Sequence, residues 1–255
     1  MLEISGLSKE IGGGRQLCVD GISVNKKGIY GILGDGESGV TAFLDIVTAN
    51  TVPDAGKATV CGCDTVKQGC TVRSKVGFVP ANMGFFSDDT VLETLDFVGI
   101  AKGVSKDRRF RQIKEAIELV GLEGLEKRLC SELTSHEKKL LGVAVAILGN
   151  PEILVLEEIM KAEVAENKEE LGELIKLLGR HKTVLVSSSE PQDIESICDH
   201  FIIFSGGRCV LDLDSDEIRA KLDVVNEGIE NNENNVVSIS DVYRALTKEA
   251  GEENR

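Results

Sequence analysis

Gly28-Ile29-Tyr30-Gly31-Ile32-Leu33-Gly34-Asp35-Gly36-Glu37-Ser38-Gly39-Val40-Thr41-Ala42-Phe43-Leu44-Asp45-Ile46-Val47 is the stretch that decides the fold. Residues 28–33 read as a short buried strand and 42–47 as a helix, with a glycine-rich turn between them. That context belongs to the phosphate-binding pattern G-x-x-x-x-G-K-[ST]. In it, backbone N–H groups cradle phosphates, the Lys reaches the β- and γ-phosphates, and the hydroxyl ligates Mg²⁺. Gly34, Gly39 and Thr41 keep the pattern, and Gly36, Ser38 and Ala42 complete the turn. Val40 stands at the lysine position, and Asp35 and Glu37 put negative charge where an anion would sit.

Outward from this loop, strand-like and helix-like segments alternate, which predicts an α/β fold. Residues 1–30 hold short alternating runs, read as antiparallel strands with turns at Gly12-Gly13-Gly14 and Lys26-Lys27-Gly28. Strands are expected at 57–61, 75–79, 152–156, 183–187 and 201–204. Apolar residues at helical spacing (Val91, Leu95, Val98; Phe110, Ile113, Ile117, Val120) predict a helical subdomain over about 91–148. Leu140–Leu148 reads as an apolar helix within it, and Leu171, Leu174, Ile175 and Leu178 mark another helix. The sheet pattern fades after Leu222. Residues 1–222 are therefore expected to form one domain. Residues 223–255 are expected to hold an acidic, Asn-rich mobile loop over Glu227–Asn235, a short helix at 238–248 capped by Ser240, and a frayed end at 249–255.

The 255 residues carry 29 basic and 43 acidic side chains, a net charge of -14. That balance argues against nucleic-acid or anionic-lipid binding. No run approaches the ~18 apolar residues of a membrane span, and Met1–Ser5 offers no signal-peptide pattern. The expectation is a cytoplasmic chain. Its seven scattered cysteines read mainly as small buried hydrophobes, since Cys61-x-Cys63 lacks zinc-ligand spacing. His136, His181 and His200 read as solvent-facing or strand-edge side chains.

A phosphate loop requires distant acids at the end of a buried strand, one for Mg²⁺ and one to polarise water. Ile153-Leu154-Val155-Leu156-Glu157-Glu158 fits that place. An ordinary strand emerging into solvent would look the same by itself; the upstream loop favours the chemical reading.

Further words follow in a fixed order: Val52-Pro53-Asp54-Ala55-Gly56, Val76-Gly77-Phe78-Val79-Pro80, Lys102-Gly103-Val104-Ser105, Val120-Gly121-Leu122, Ala146–Leu154 and Ser205-Gly206-Gly207-Arg208. In order and spacing the chain resembles the ATPase subunit of an ATP-binding cassette (ABC) transporter over nearly its whole length. The tail Ser238–Tyr243 resembles the terminal helix of the ABC-2 exporter type. The resemblance implies a P-loop NTPase-like sheet core with an antiparallel β-subdomain and an inserted helical subdomain. It also implies ATP with Mg²⁺, a membrane permease as partner, a homodimer or heterodimer, and a peripheral place on the cytoplasmic face.

The departures from the family pattern bear on activity. Val40 replaces the Lys, Glu37 a loop glycine, Ala81 the Q-loop Gln, and Glu157 the metal-holding Asp. Leu133-Thr134-Ser135-His136-Glu137 replaces the Leu-Ser-Gly-Gly-Gln signature, and Ser189 the switch His. No adenine-stacking aromatic lies near Ile11. Thr41 and Glu158 keep their expected chemistry, Thr41 with Glu157 as Mg²⁺ ligands and Glu158 as a vestigial general base. Glu137 also reads as a first-turn acid for the following helix. The expectation is weak binding of ATP and Mg²⁺, or none, and little hydrolysis in a structural or regulatory subunit. The alternatives are a divergent but active ATPase with a cation from Lys57, Arg73 or a partner, and a soluble interaction protein derived from the family.

Overall fold

The structure is a computed structural model describing residues 1–214, 217 and 238–252. At its centre lies β3 (Gly28–Leu33), paired in parallel with β8 (Thr183–Ser188) on one side and β9 (His200–Ser205) on the other. β7 (Ile153–Glu157) and β6 (Val76–Val79) continue the parallel run beyond β8. These strands are near-continuous apolar runs because both faces are covered. Being parallel, they bring their carboxyl ends to one edge: Leu33, Ser188, Glu157 and Val79. The residues that follow, 34–41, Ser189, Glu158 and Ala81, therefore meet there. Ligand sites of open α/β sheets form at this edge.

Among the described residues ten strands make one sheet, in the order β5-β4-β1-β2-β10-β9-β3-β8-β7-β6. β1 (Leu2–Gly12) and β2 (Arg15–Val24) form a hairpin. β4 (Ala55–Val60) and then β5 (Cys63–Asp64) extend that antiparallel half. β10 (Arg208–Asp214) joins the halves, antiparallel to β9 and touching β2 through the Arg208–Cys18 pair. The turn at residues 12–14 is the predicted one. Residues 26–28 do not close a second hairpin, because β10 and β9 stand between β2 and β3.

The helices are α1 (Val40–Val47), α2 (Gly69–Lys75), α3 (Val91–Ala101), α4 (Lys106–Val120), α5 (Ser135–Ile147), α6 (Ala165–Gly179) and α7 (Ile239–Glu252). One core cluster packs α3 to α6 against one face of the parallel strands; a second packs α1 against their other face and the antiparallel half. α3 and α5 each start with a capping box, Thr90 with Glu93 and Thr134 with Glu137. None of the helices among the described residues is long and apolar enough to cross a membrane.

Several expectations are corrected. The sequence reading lacked α2 and β5, and Lys75 ends α2 instead of opening β6. Phe110 has helical spacing yet faces outward. α7 is capped by Ser238, whose hydroxyl accepts the Asp241 N–H at 3.3 Å, and not by Ser240. α7 continues to Glu252, so residues 249–252 are helical. The predicted loop at 227–235 and residues 253–255 lie outside the described residues. Cys63, Cys130 and Cys198 are buried, but Cys70 is exposed and the other three are half-buried.

Candidate functional site

The loop leaves β3 at Gly34, where a Cβ would come within 2.3 Å of the Ser38 hydroxyl. Only glycine allows that close return. Gly39 then takes φ 89° immediately before α1, a left-handed conformation that glycine adopts without strain. Inside the turn Asp35 organises the donors. Its carboxylate accepts the Glu37 N–H at 3.0 Å. Its carbonyl accepts the Ser38 N–H at 3.1 Å and the Ser38 hydroxyl at 2.6 Å. The two N–H groups are backbone donors of the kind an anion would take.

Glu37 does not point into the cradle. It leans outward to Arg15, at the start of β2, in an ion pair of 2.7 Å. Val40 is 7% exposed and belongs to the core cluster around α1. Its methyls pack back toward Gly34. No lysine chemistry is available from such a side chain. The other cations weighed for that task lie elsewhere: Arg73 donates to the Ala49 carbonyl at 2.7 Å, and Lys57 is exposed on β4 opposite Ser5.

The loop's hydroxyl meets the strand acids. Thr41 Oγ1 donates to Glu157 Oε1 at 2.8 Å, and the Ala81 N–H to Glu157 Oε2 at 3.2 Å. Glu157, 7% exposed, so joins the ends of β3, β7 and β6. Mg²⁺ holds oxygens at 2.0–2.1 Å, which puts adjacent ligands about 2.9 Å apart. The Thr41 hydroxyl and the Glu157 carboxylate are the oxygen donors that would hold such an ion.

Glu158 takes φ 51°, a strained backbone for a non-glycine residue. Its N–H is held by the Ser187 carbonyl at 3.1 Å and hydroxyl at 3.2 Å. Ser189 donates to Glu158 Oε2 at 3.3 Å, and the Lys161 ammonium lies at 3.9 Å. Burial pushes the Glu158 carboxyl above its ordinary range, against the opposing pull of Lys161 and Ser189. Asp35 and Glu37 belong to the loop and Glu157 contacts it through Thr41, while Arg15 pairs with Glu37 and Lys161 with Glu158.

Ser135, His136 and Glu137 form a separate cluster at the start of α5. Glu137 closes the capping box, its carboxylate accepting the Thr134 N–H at 2.7 Å. His136 is not a solvent-facing loop side chain. It is only 14% exposed and sits 3.0 Å from Glu170 through Nε2 and 3.5 Å from Glu163 through Nδ1. Glu163, nearly buried, also takes Lys139 at 2.9 Å and Asn167 at 2.7 Å. Burial raises its carboxyl, but these bonds and the nearby charges outweigh that and hold it low. The other histidines have ordinary places: His181 is exposed, and His200 pairs with Asp212.

The structure thus gathers Thr41, Ala81, Glu157, Glu158 and Ser189 around residues 34–41. Asp35 as internal acceptor, Arg15 and Glu163 were not singled out from the sequence for these roles. A D-G pair in the turn was the available signal for Asp35; the others depend on strands that meet only in the fold.

A family model described as ABC transporter matches residues 20–161. Nod factor export ATP-binding protein I of Burkholderia lata is 30% identical over 198 residues, 76% of this chain and 65% of its own length. Methionine import ATP-binding protein MetN 2 of Oceanobacillus iheyensis is 28% identical over 221 residues, 82% of this chain and 64% of its own. The chain spans just under two thirds of the length of these two relatives. A solved ATP-binding subunit of an ABC transporter superposes with TM-score 0.81 at 19% identity, covering 97% of this chain and 99% of that one. A dimeric ATP-binding cassette in a post-hydrolysis state with ADP and Pi gives TM-score 0.74 at 19% identity, covering 84% and 98%. At these identities the structures speak for the fold alone. The family model covers more than half of the chain, and by that match the chain belongs to the ABC transporter family as an ATPase domain.

Proposed function

We propose that this chain serves as the nucleotide-binding subunit of an ABC transporter of the ABC-2 exporter type, with a degenerate ATP site. It binds Mg-ATP weakly and hydrolyses it slowly or not at all. Its remaining work is to dock on a membrane permease at the cytoplasmic face and to pair with itself or an active ATPase subunit. One observation carries the reading: the lysine position holds Val40, packed in the core, while Asp35 takes up the Glu37 and Ser38 donors. When bound, Mg²⁺ would neutralise phosphate charge, with Thr41 and Glu157 to hold it. Glu158 and Ser189 would face the attacking water, but no side chain of the loop offset the charge of the transferring group.

An exposed apolar set favours the docking role. Phe86 and Phe110 are 71% and 73% exposed, and Phe97 and Ile100 on α3 are 59% and 55% exposed. Three of them lie on α3 and α4 of the helical subdomain, where they would be available to a permease. The exporter reading draws on the likeness of the tail at 238–243 and on the Nod factor export relative. A second reading, a divergent working ATPase, is favoured by the intact Thr41–Glu157 bond and the raised Glu158. An ATPase assay of the purified protein at saturating Mg-ATP separates them. Background rates are expected; robust turnover lost on Glu158→Gln would overturn the degenerate-site reading.

A further inference from the structure

On the sheet edge away from the phosphate loop, α4, the end of α5 and α6 leave a cavity of about 450 Å³ between them. Its floor is apolar: Ala116 and Leu119 of α4, Ile147 of α5 and Leu178 of α6. Its wall carries Arg111, Gln112, Asn150 and Lys182, with Glu115 at the rim. Asn150 and Lys182 stand just before β7 and β8, at the amino ends of those strands. A cavity of this size suits a small ligand.

The hydrogen bonds already made fix what the wall has left to offer. The Gln112 amide oxygen accepts the Gly149 N–H at 3.1 Å, and the Asn150 amide oxygen accepts the Lys182 ammonium at 2.7 Å. Both amides therefore keep their NH₂ groups as donors. Lys182 gives a second proton to the Pro151 carbonyl at 2.7 Å, and a third remains. Arg111 lies 3.9 Å from Glu115, an ion pair beyond hydrogen-bond reach. Donors thus outnumber acceptors above an apolar floor. Burial first, and then the charge of Lys27, hold the Lys182 ammonium below its ordinary range, a cost that a neighbouring anion would offset. Glu115 opposes a second negative charge, so the lining suits a monoanion. We propose that this cavity binds a small amphipathic carboxylate, its head taken by Lys182, Arg111 and the two amides and its apolar body laid over Ala116, Leu119 and Leu178. The assignment is independent of the nucleotide-binding reading and concerns the opposite edge of the sheet.

Octanoate is the probe, titrated by calorimetry into the full chain, with acetate, octanol and octylammonium as controls. Octanoate is expected to saturate by the millimolar range. Acetate lacks the apolar body and should bind about tenfold more weakly or worse. Octanol and octylammonium should also bind more weakly than octanoate. Lys182→Gln removes the charge but keeps a donor for Asn150, and should weaken octanoate about tenfold or more. Arg111→Glu changes a side chain that is 70% exposed, so folding is not at risk, and should weaken octanoate about fivefold or more. No octanoate binding at millimolar concentration, equal or tighter binding of octanol or octylammonium, or an unchanged octanoate affinity in Arg111→Glu would overturn the assignment.

Discussion

Val40→Lys is expected to restore much of the triphosphate affinity that the loop lacks. A charge-assisted Lys–phosphate bond contributes about 1.5–3 kcal/mol net, so Mg-ATP should bind about 10- to 150-fold more tightly. The structure adds an opposing term. Val40 is 7% exposed, so its methyls leave the core around α1. A Lys there also places a cation at a helix N-terminus. The lysine stem recovers part of the lost burial, leaving a cost of about 1–2 kcal/mol in folding stability. Displacing Asp35 from the Glu37 N–H applies to both proteins and cancels in the affinity ratio. Asp35→Ala frees that donor and should tighten binding by itself, by up to about 10- to 150-fold for one bond to a charged group. Calorimetric titration with Mg-ATP and urea unfolding measure the two terms separately. If folded Val40→Lys binds Mg-ATP within about threefold of the parent, below the smallest value expected from the bond, the missing cation is not what limits this loop.

Three further predictions concern stability. The Glu158 carboxyl lies above its unfolded value of 4.5, so its contribution is full below that pH and is lost as pH rises through the folded value. Glu158→Gln should therefore be more stable than the parent in urea at pH 7, with the difference gone near pH 4; a constant difference would refute the linkage. Lys102 donates to the Val145, Ala146 and Leu148 carbonyls at 3.0, 3.1 and 2.9 Å, closing the end of α5. Lys102→Met leaves those carbonyls without the donor and should cost about 1–3 kcal/mol, read from the denaturant midpoint. His136→Ala removes the link from α5 to Glu163 and Glu170 and should cost about 1–3 kcal/mol as well. A change below about 0.5 kcal/mol, the level of an ordinary surface substitution, would mean that the cluster carries no net stability.

The central elements were legible because their signals are local. The apolar run at 28–33, the glycines at 34 and 39 and the apolar helix after them specify strand, turn and helix without help from distant residues. The buried strand at 153–157, with Glu158 following it, was found for the same reason. Phe110 misled because spacing alone does not say which side of a helix meets the core. His136 misled because the acids that draw it inward, Glu163 and Glu170, lie in a different segment.

By itself the sequence determined the α/β alternation, the phosphate-loop geometry and the loss of its lysine, since each is written in a few neighbouring residues. Only the tertiary structure decided where the remaining groups point. Glu37 turns out to Arg15 and Asp35 turns in to the Glu37 and Ser38 donors, while Thr41 meets Glu157. Parallel strand ends gather these side chains at one edge, and that convergence depends on strand order, which no single stretch of sequence encodes.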